Sequence, residues 1–503
     1  MTINVLQYLE DSARRTPAAP ALGDEHHQLT YQALLDLSQR TGTRLAGLGG
    51  HNRAVAVFID RDVESLVMFM GAVYSGNFYV PIDVSMPKQR LELMLQTLTP
   101  VACIGKQASA PLCPPSIPFF SYEALIQTTP DLTLLSHIRA RSIDTDPVYA
   151  IFTSGSTGVP KAVLVSHRSV IDLTEQFSRT FGFHSGHCFG NQAPFDFDVS
   201  VKDIYQALKQ GARLEVIPKK LFSFPGALVE YLMERQVSVI IWATSALRIV
   251  ASLKALDKQQ PPLELVMFSG EVMPNKVLNY WRSHIPAQYV NLYGPTEITC
   301  NCTYFVVDRP FDDDEPLPIG SAFANTEVFL LDGQNRLILP NAPGEVGEIC
   351  VRGTCLALGY YNNPEKTAQA FCQNPLVTAY PQRMYRTGDL GSYNGRGELM
   401  FRSRKDFQIK HMGHRIELGE IETAVNAMPG LDAACCLYDQ QREKIVLFYQ
   451  SEHPCHREIL RFLSEKLPKY MWPNRLVHFT HLPHNAHGKI DRVALGAAHI
   501  HGA

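Results

Sequence analysis

No run of five or more basic residues occurs in this sequence, and 46 Lys+Arg against 49 Asp+Glu leave a formal net charge of −3. That balance lacks the electrostatic footprint of a nucleic-acid binder, so no nucleic-acid partner is expected. Long apolar runs are missing too. The longest mostly apolar stretch, Val237 to Leu247, is about half of the ~20 residues that span a bilayer, so no membrane insertion is expected. The start, MTINVLQYLEDSARR, has no basic segment followed by an apolar one, as a secretory signal would. Its Val5, Leu6, Leu9 and Ala13 fit one face of an amphipathic helix instead. Eleven cysteines carry no framework spacing; Cys300/Cys302 and Cys435/Cys436 are close pairs, but neither is a CxxC. Small core thiols in a reducing cytoplasm are the expectation. His484, His487, His499 and His501 crowd the C-terminus without partners at a metal spacing. No internal repeat or long low-complexity segment is present.

What is present is alternation. Up to about residue 400, β-rich runs (Val55–Ile59, Phe78–Pro81, Val148–Phe152, Leu214–Ile217, Val237–Trp242, Leu263–Phe268) alternate with helical ones (Asp62–Gly76, Lys88–Leu98, Ser200–Lys209, Phe224–Arg235). This predicts an α/β fold of layered subdomains with largely parallel sheets. From Thr326 to Gly359 the texture changes to short strands with Gly-, Asn- and Pro-rich turns, an antiparallel β subdomain. A small α+β region follows from about Ile416. With 503 residues the chain has room for several cores. The expected division is a large core over 1–405 and a small C-terminal domain over 406–503, with the boundary near Asp406, where charge density is high.

The stretch Thr153 to Lys161, TSGSTGVPK, concentrates small, hydroxyl and Gly residues with one lysine. Such a loop, delivered by the apolar run Val148 to Phe152, can turn backbone N–H groups, hydroxyls and an ammonium onto one polyphosphate. The alternative for this composition is a surface linker. The spacing is not that of a Walker P-loop, since Gly155 and Gly158 are too close and Lys161 precedes Ala162.

Further segments stand in a fixed order: LTYQALL (29–35), FYVPID (78–83), FDFDVSVKD (195–203), NLYGPTE (291–297), GEVGEICVRG (344–353), YRTGDL (385–390), FQIKHMGHRIELGEIE (407–422) and HGKIDR (487–492). With the opening loop they resemble the motif series of the adenylate-forming superfamily, over nearly the whole chain. Within it the likeness is to nonribosomal peptide synthetase adenylation domains and to stand-alone D-alanine–carrier protein ligases. The resemblance implies a ligase that uses ATP and Mg²⁺ to convert a carboxylic acid to its adenylate, releasing pyrophosphate, and then passes the acyl group to a phosphopantetheine thiol. It assigns Thr153, Ser154, Gly155, Ser156, Thr157, Gly158 and Lys161 to the phosphates. Asn291, Tyr293 and Gly294 fall to the nucleotide, with Tyr293 stacking on the adenine. Thr296 would contact phosphate, and Glu297 would hold Mg²⁺. Asp389, an acceptor-only carboxylate, would take the ribose hydroxyls with Arg404 beside it. Lys489 would bridge carboxylate and phosphate oxygens as the catalytic lysine. Asp406 falls at the hinge about which the small domain turns between half-reactions, and Lys410 would serve the thioester-forming state. The chain departs from the family pattern at Lys161-Ala162-Val163, Ser403-Arg404 and His411-Met412-Gly413.

The acid is addressed by Asp198. By the same resemblance an aspartate there pairs with the α-ammonium of an amino acid, and Val199, Lys202, Ile241, Met267, Ser269, Leu292, Cys300 and Asn301 complete the pocket. Lys202 either meets a side-chain carboxylate or carbonyl, or forms a salt bridge with Asp203. A small or polar amino acid is expected: serine, alanine, glycine, or an acidic or amide relative. Nothing after residue 503 leaves room for a carrier domain, so a separate phosphopantetheinylated carrier protein is the expected partner. The alternatives are an acyl- or aryl-CoA synthetase, and a non-catalytic nucleotide-binding homologue.

Overall fold

Val239–Ala243 is buried at every residue, the signature of a strand covered on both faces of a parallel sheet. Its side chains alternate between two cores. Ile241 joins Met267, Val290 and Leu292 in one, while Ile240 and Trp242 join Val266, Phe268 and Tyr289 in the other. In the computed structural model, which describes residues 2–154, 160–313, 315–405, 408–484 and 490–500, this strand is central to a nine-stranded sheet. The parallel part runs Gln288–Tyr293, Leu265–Ser269, Val239–Ala243, Cys188–Asn191, Arg213–Val216 and Pro20–Gly23. Antiparallel edges are added by Thr303–Val306 with Ser321–Ala322, and by Gln28–Thr30.

A seven-stranded sheet is built around Ala54–Ile59, parallel to Phe78–Asp83 and Ala102–Gly105, and includes Pro147–Thr153 and Lys161–Ser166. A six-stranded antiparallel sheet holds Thr326–Leu331, Gly347–Gly353, Arg383–Tyr393 and shorter partners. The α/β layers and the β subdomain expected from the sequence are thus present. The β subdomain reaches further than expected, through Leu399–Arg404.

By internal contacts the chain divides into two units. One comprises 1–84, 98–151 and 162–403, and the other 85–97, 152–161 and 404–503. In the second unit, the hairpin Gln408–His411 and His414–Glu417 precedes a three-stranded sheet, Ala433–Asp439, Lys444–Gln450 and Arg475–Phe479. Arg492 grips Glu422 with two bonds of 2.7 and 2.8 Å, the bidentate geometry that makes such pairs strong. The Arg90 guanidinium, buried in the helix Lys88–Leu98, pairs with the buried carboxylate of Glu420. All eleven cysteines are free, and no described helix is long and apolar enough to cross a membrane.

Candidate functional site

The residues expected to hold the acid converge at the carboxyl ends of parallel strands, where open α/β sheets bind ligands. Asp198 sits at the head of the helix Val199–Gln210, and Lys202 lies one turn on, on the same face. Opposite them, the Cys300 thiol donates to the Asp198 carbonyl at 3.0 Å. The Lys202 ammonium donates to Asn301 Oδ1 at 2.6 Å. Ile241 and Met267 are register partners on adjacent strands, and with Leu292 they belong to the core packed on this helix. Ser269 shares their face two residues on from Met267, and Val199 opens the helix half-buried.

The segment carrying Cys300 and Asn301 is strained. Thr299 and Cys300 both have left-handed backbones, with φ of 57° and 73°; a β-branched residue rarely accepts that conformation. The Thr299 hydroxyl pins it by donating to the Cys355 carbonyl at 2.8 Å. Gly294 is required beneath it, since a Cβ there would lie 2.6 Å from Asn301 Cα and 2.7 Å from the Cys300 carbonyl oxygen.

Lys202 does not bridge to Asp203. Asp203 instead accepts from Asn191 Nδ2 at 2.9 Å, and burial, opposed by Asn191, Lys202 and Arg61, pushes its pKa up to about 7. Because the folded pKa lies above the ordinary carboxylate value, the folded state holds the extra proton between these limits, and stability falls as pH rises through that window. Asp203→Asn is therefore expected to remove about 2 kcal/mol of pH dependence between pH 5 and 7. Urea melts at the two pH values, run beside the wild type, check this; an unchanged slope counts against it.

On the nucleotide side the sequence explains the geometry closely. Thr387, Gly388 and Asp389 oppose Ile349 alone, between the register pairs Glu348↔Leu390 and Cys350↔Arg386. This bulge re-aims Asp389, the usual work of a bulge beside a site. The Thr387 hydroxyl donates to the Ile349 carbonyl at 2.8 Å and accepts from Asp389 N at 2.9 Å. Gly388 supplies the φ of 73°. Asp389 Oδ2 then accepts from the Tyr293 hydroxyl at 2.5 Å. Burial, and next the Asp389 charge, push the Tyr293 pKa far up, so the phenol stays a donor. Tyr293→Phe should leave Asp389 misaimed and raise the apparent KM for ATP about 10- to 100-fold, the worth of one hydrogen bond to a charged group. Initial rates at varied ATP read this out, and a KM within twofold of wild type rejects it.

Glu297 is wholly buried in the turn Thr296–Ile298, and its Oε1 accepts from the Tyr360 hydroxyl at 2.8 Å. Tyr360 was not among the sequence-derived candidates; nothing in GYYNNP signals a partner 63 residues away. Asn291 commits its Nδ2 to the Pro318 carbonyl at 2.8 Å, and Thr296 is half-buried.

In the second unit, Thr153 Oγ1 donates to the Lys161 carbonyl at 3.4 Å across the neck of the loop. Ser154 Oγ donates to the Arg415 carbonyl at 2.9 Å. Lys161 begins the strand Lys161–Ser166, and Arg404 ends Leu399–Arg404. Gly155, Ser156, Thr157, Gly158, Asp406 and Lys489 lie outside the described residues.

His184, His187 and Glu264 also converge. Both histidines accept a backbone N–H at Nδ1, from Gly186 and from His184. A neutral ring so engaged carries its proton on Nε2, which directs His187 as a donor toward Glu264, 3.5 Å away, rather than as a lone pair toward a metal.

Residues 9–361 match the family model described as AMP-binding enzyme. The chain is 29% identical over 500 residues to tyrocidine synthase 1 of Brevibacillus parabrevis, covering 98% of this chain and 45% of that protein. It spans from 6% to 45% of the length of five synthases of this kind. It is 30% identical over 510 residues to the D-alanine–D-alanyl carrier protein ligase of Lacticaseibacillus casei (strain BL23), covering 98% of this chain and 99% of the ligase. The fold is shared with the Vibrio cholerae adenylation domain AlmE, solved in complex with glycyl-adenosine-5'-phosphate: TM-score 0.84 at 22% identity, covering 99% and 98%.

Proposed function

Because the chain belongs to the family of AMP-binding enzymes, with adenylation domains and carrier protein ligases as its homologues, we propose that it activates an amino acid as the aminoacyl-adenylate and passes it to a carrier protein's phosphopantetheine thiol. In the first half-reaction a substrate carboxylate oxygen bonds the α-phosphorus of ATP as pyrophosphate leaves. In the second, the thiol sulfur bonds the carbonyl carbon and AMP leaves. Asp198 receives the α-ammonium at the pocket mouth, and the Cys300 thiol fixes the backbone that carries it. The aimed Asp389 accepts from ribose hydroxyls, and Tyr293 holds that carboxylate in place while its ring covers the base. Thr153, Ser154 and Lys161, with the loop between them, address the β- and γ-phosphates, and Lys489 neutralises charge at the reacting oxygens.

The Glu297 carboxylate and the hydroxyl of the preceding Thr296 are hard oxygen donors of the kind that fits Mg²⁺, and Tyr360 donates to one Glu297 oxygen. When bound, the ion supplies charge neutralisation at phosphate oxygens. Positioning and preorganised charge, rather than a side-chain nucleophile, account for catalysis in this arrangement.

The observation that carries the amino-acid assignment is Asp198 at the head of its helix, half-buried and facing the Cys300–Asn301 turn. A carboxylate placed there matches the α-ammonium that an amino acid carries and a fatty or aromatic acid lacks. The test is ATP–pyrophosphate exchange with proteinogenic amino acids and their D-forms, run beside fatty and aromatic acids. Exchange with an amino acid is expected; exchange with the other acids alone would reject the assignment.

A further inference from the structure

Two of the residues expected to line the acid pocket are buried donors. Lys202 is 2% exposed and Asn301 3%. An ammonium carries three N–H donors and no acceptor, yet among the described residues its one hydrogen bond is to Asn301 Oδ1. Among the described residues no ion pair to it is found, Asp203 being turned to Asn191, while the Asp198 and Asp203 charges partly oppose the effect of its burial. Asn301 spends its acceptor on Lys202, and its Nδ2, with two more donors, has no described partner. The Cys300 thiol is already committed to the Asp198 carbonyl. Burying a cation whose one hydrogen-bond partner is a neutral amide is costly, and the strained Thr299–Cys300 backbone carries Asn301.

We propose that the Lys202–Asn301 pair is the recognition site for a side-chain carboxylate, so that the amino acid activated is an acidic one. This rests on the amino-acid adenylation assignment and narrows it. One substrate oxygen would accept from the Lys202 ammonium and the other from Asn301 Nδ2, while Asp198 takes the α-ammonium. The bound ligand then carries its cation beside the pocket's anion and its anion beside the pocket's cation. Burial pulls the Lys202 pKa below its ordinary value, and a carboxylate at contact acts in the opposite sense. A small apolar side chain would leave the donors unpaired. An amide would satisfy one donor group through its carbonyl but present its own N–H₂ to the other.

The test is pyrophosphate exchange by the intact chain with aspartate, glutamate, asparagine, glutamine, alanine, serine and glycine, in both enantiomers where they exist. The expected result is an acidic substrate at least tenfold above its amide isostere in kcat/KM. In Lys202→Met that ratio should fall at least tenfold, chiefly through the KM of the acid. Asn301→Ala, which keeps the buried cation, should lower the same ratio and guards against a folding defect in the lysine variant. Alanine, serine or glycine as the fastest substrate, with the acids at background, overturns the inference: Lys202 then merely shortens the pocket, and the adenylation assignment stands. Equal use of acid and amide overturns it as well. No exchange with any amino acid overturns the adenylation assignment itself, and this inference with it.

Discussion

Asp198→Ala is expected to raise the KM for the amino acid by ~10²–10³, with the KM for ATP within about threefold of wild type. The magnitude follows from removing one partner of a desolvated charge pair, which costs about 3–5 kcal/mol. Two features of this chain make the loss hard to compensate. The cation that remains, Lys202, lies one turn along the same helix, so without Asp198 a substrate ammonium enters a site of net positive charge. The backbone at Asp198 is held independently of its carboxylate, by the Cys300 thiol on the carbonyl. The substitution therefore removes charge without collapsing the turn. Asp198→Asn, which preserves shape and one acceptor, should lose nearly as much, because the missing quantity is charge. Initial rates of exchange at varied amino acid and varied ATP separate the two KM values. An amino-acid KM that stays within threefold of wild type would refute the ammonium role.

The parallel strands were legible because burial on both faces leaves near-continuous apolar runs, and Val237–Trp242, broken only by Ser238, is such a run. Their starts were not legible. The strand begins at Val239 because Val237 N still donates to the Leu232 carbonyl at 2.9 Å, after a left-handed Gln236 at φ 50°. Leu263 likewise closes a turn onto the Pro261 carbonyl at 2.8 Å before the strand opens at Leu265. Ser238 and Glu264 stand just before the two ladders, but one polar residue between apolar ones does not by itself mark a strand start, so Val237 and Leu263 read as part of the runs.

The candidate site shows a different division. Segments such as YRTGDL and NLYGPTE stood out by their resemblance to a family's motifs, but what a motif hides is which residue aims which. The eleven-residue strand Arg383–Tyr393 contains Thr-Gly-Asp, which reads locally as a turn, and it lies beyond the expected β region of Thr326 to Gly359. In the sheet those three residues are a bulge, and its purpose appears only when Asp389 meets Tyr293. Lys202 was legible as unusual, but its partner was open between Asp203 and a ligand. The structure gives it to Asn301, 99 residues away in sequence, on a backbone bend that no sequence rule anticipates at Thr-Cys.

Glu297→Gln should cut the maximal exchange rate by ~10²–10³ and raise the Mg²⁺ concentration needed for half-maximal rate, the scale typical of losing one preorganised electrostatic contact. The variant is close to isosteric, and its amide oxygen can still accept from Tyr360, which donates to Glu297 Oε1 at 2.8 Å. What it lacks is the anionic oxygen. Glu297 is wholly buried, so the melting temperature of the variant, measured beside the wild type, shows whether a lost rate reflects unfolding. Tyr360→Phe separates aim from charge. It keeps the carboxylate and removes the hydroxyl that fixes one of its oxygens, and a loss of about tenfold is expected, partly recovered at high Mg²⁺. If both variants retain the wild-type rate and Mg²⁺ dependence, Glu297 is a structural carboxylate whose buried charge serves the Thr296–Ile298 turn. If Glu297→Gln alone loses rate while its Mg²⁺ dependence stays unchanged, the carboxylate acts on the reactants directly, and the ion is held by other oxygens.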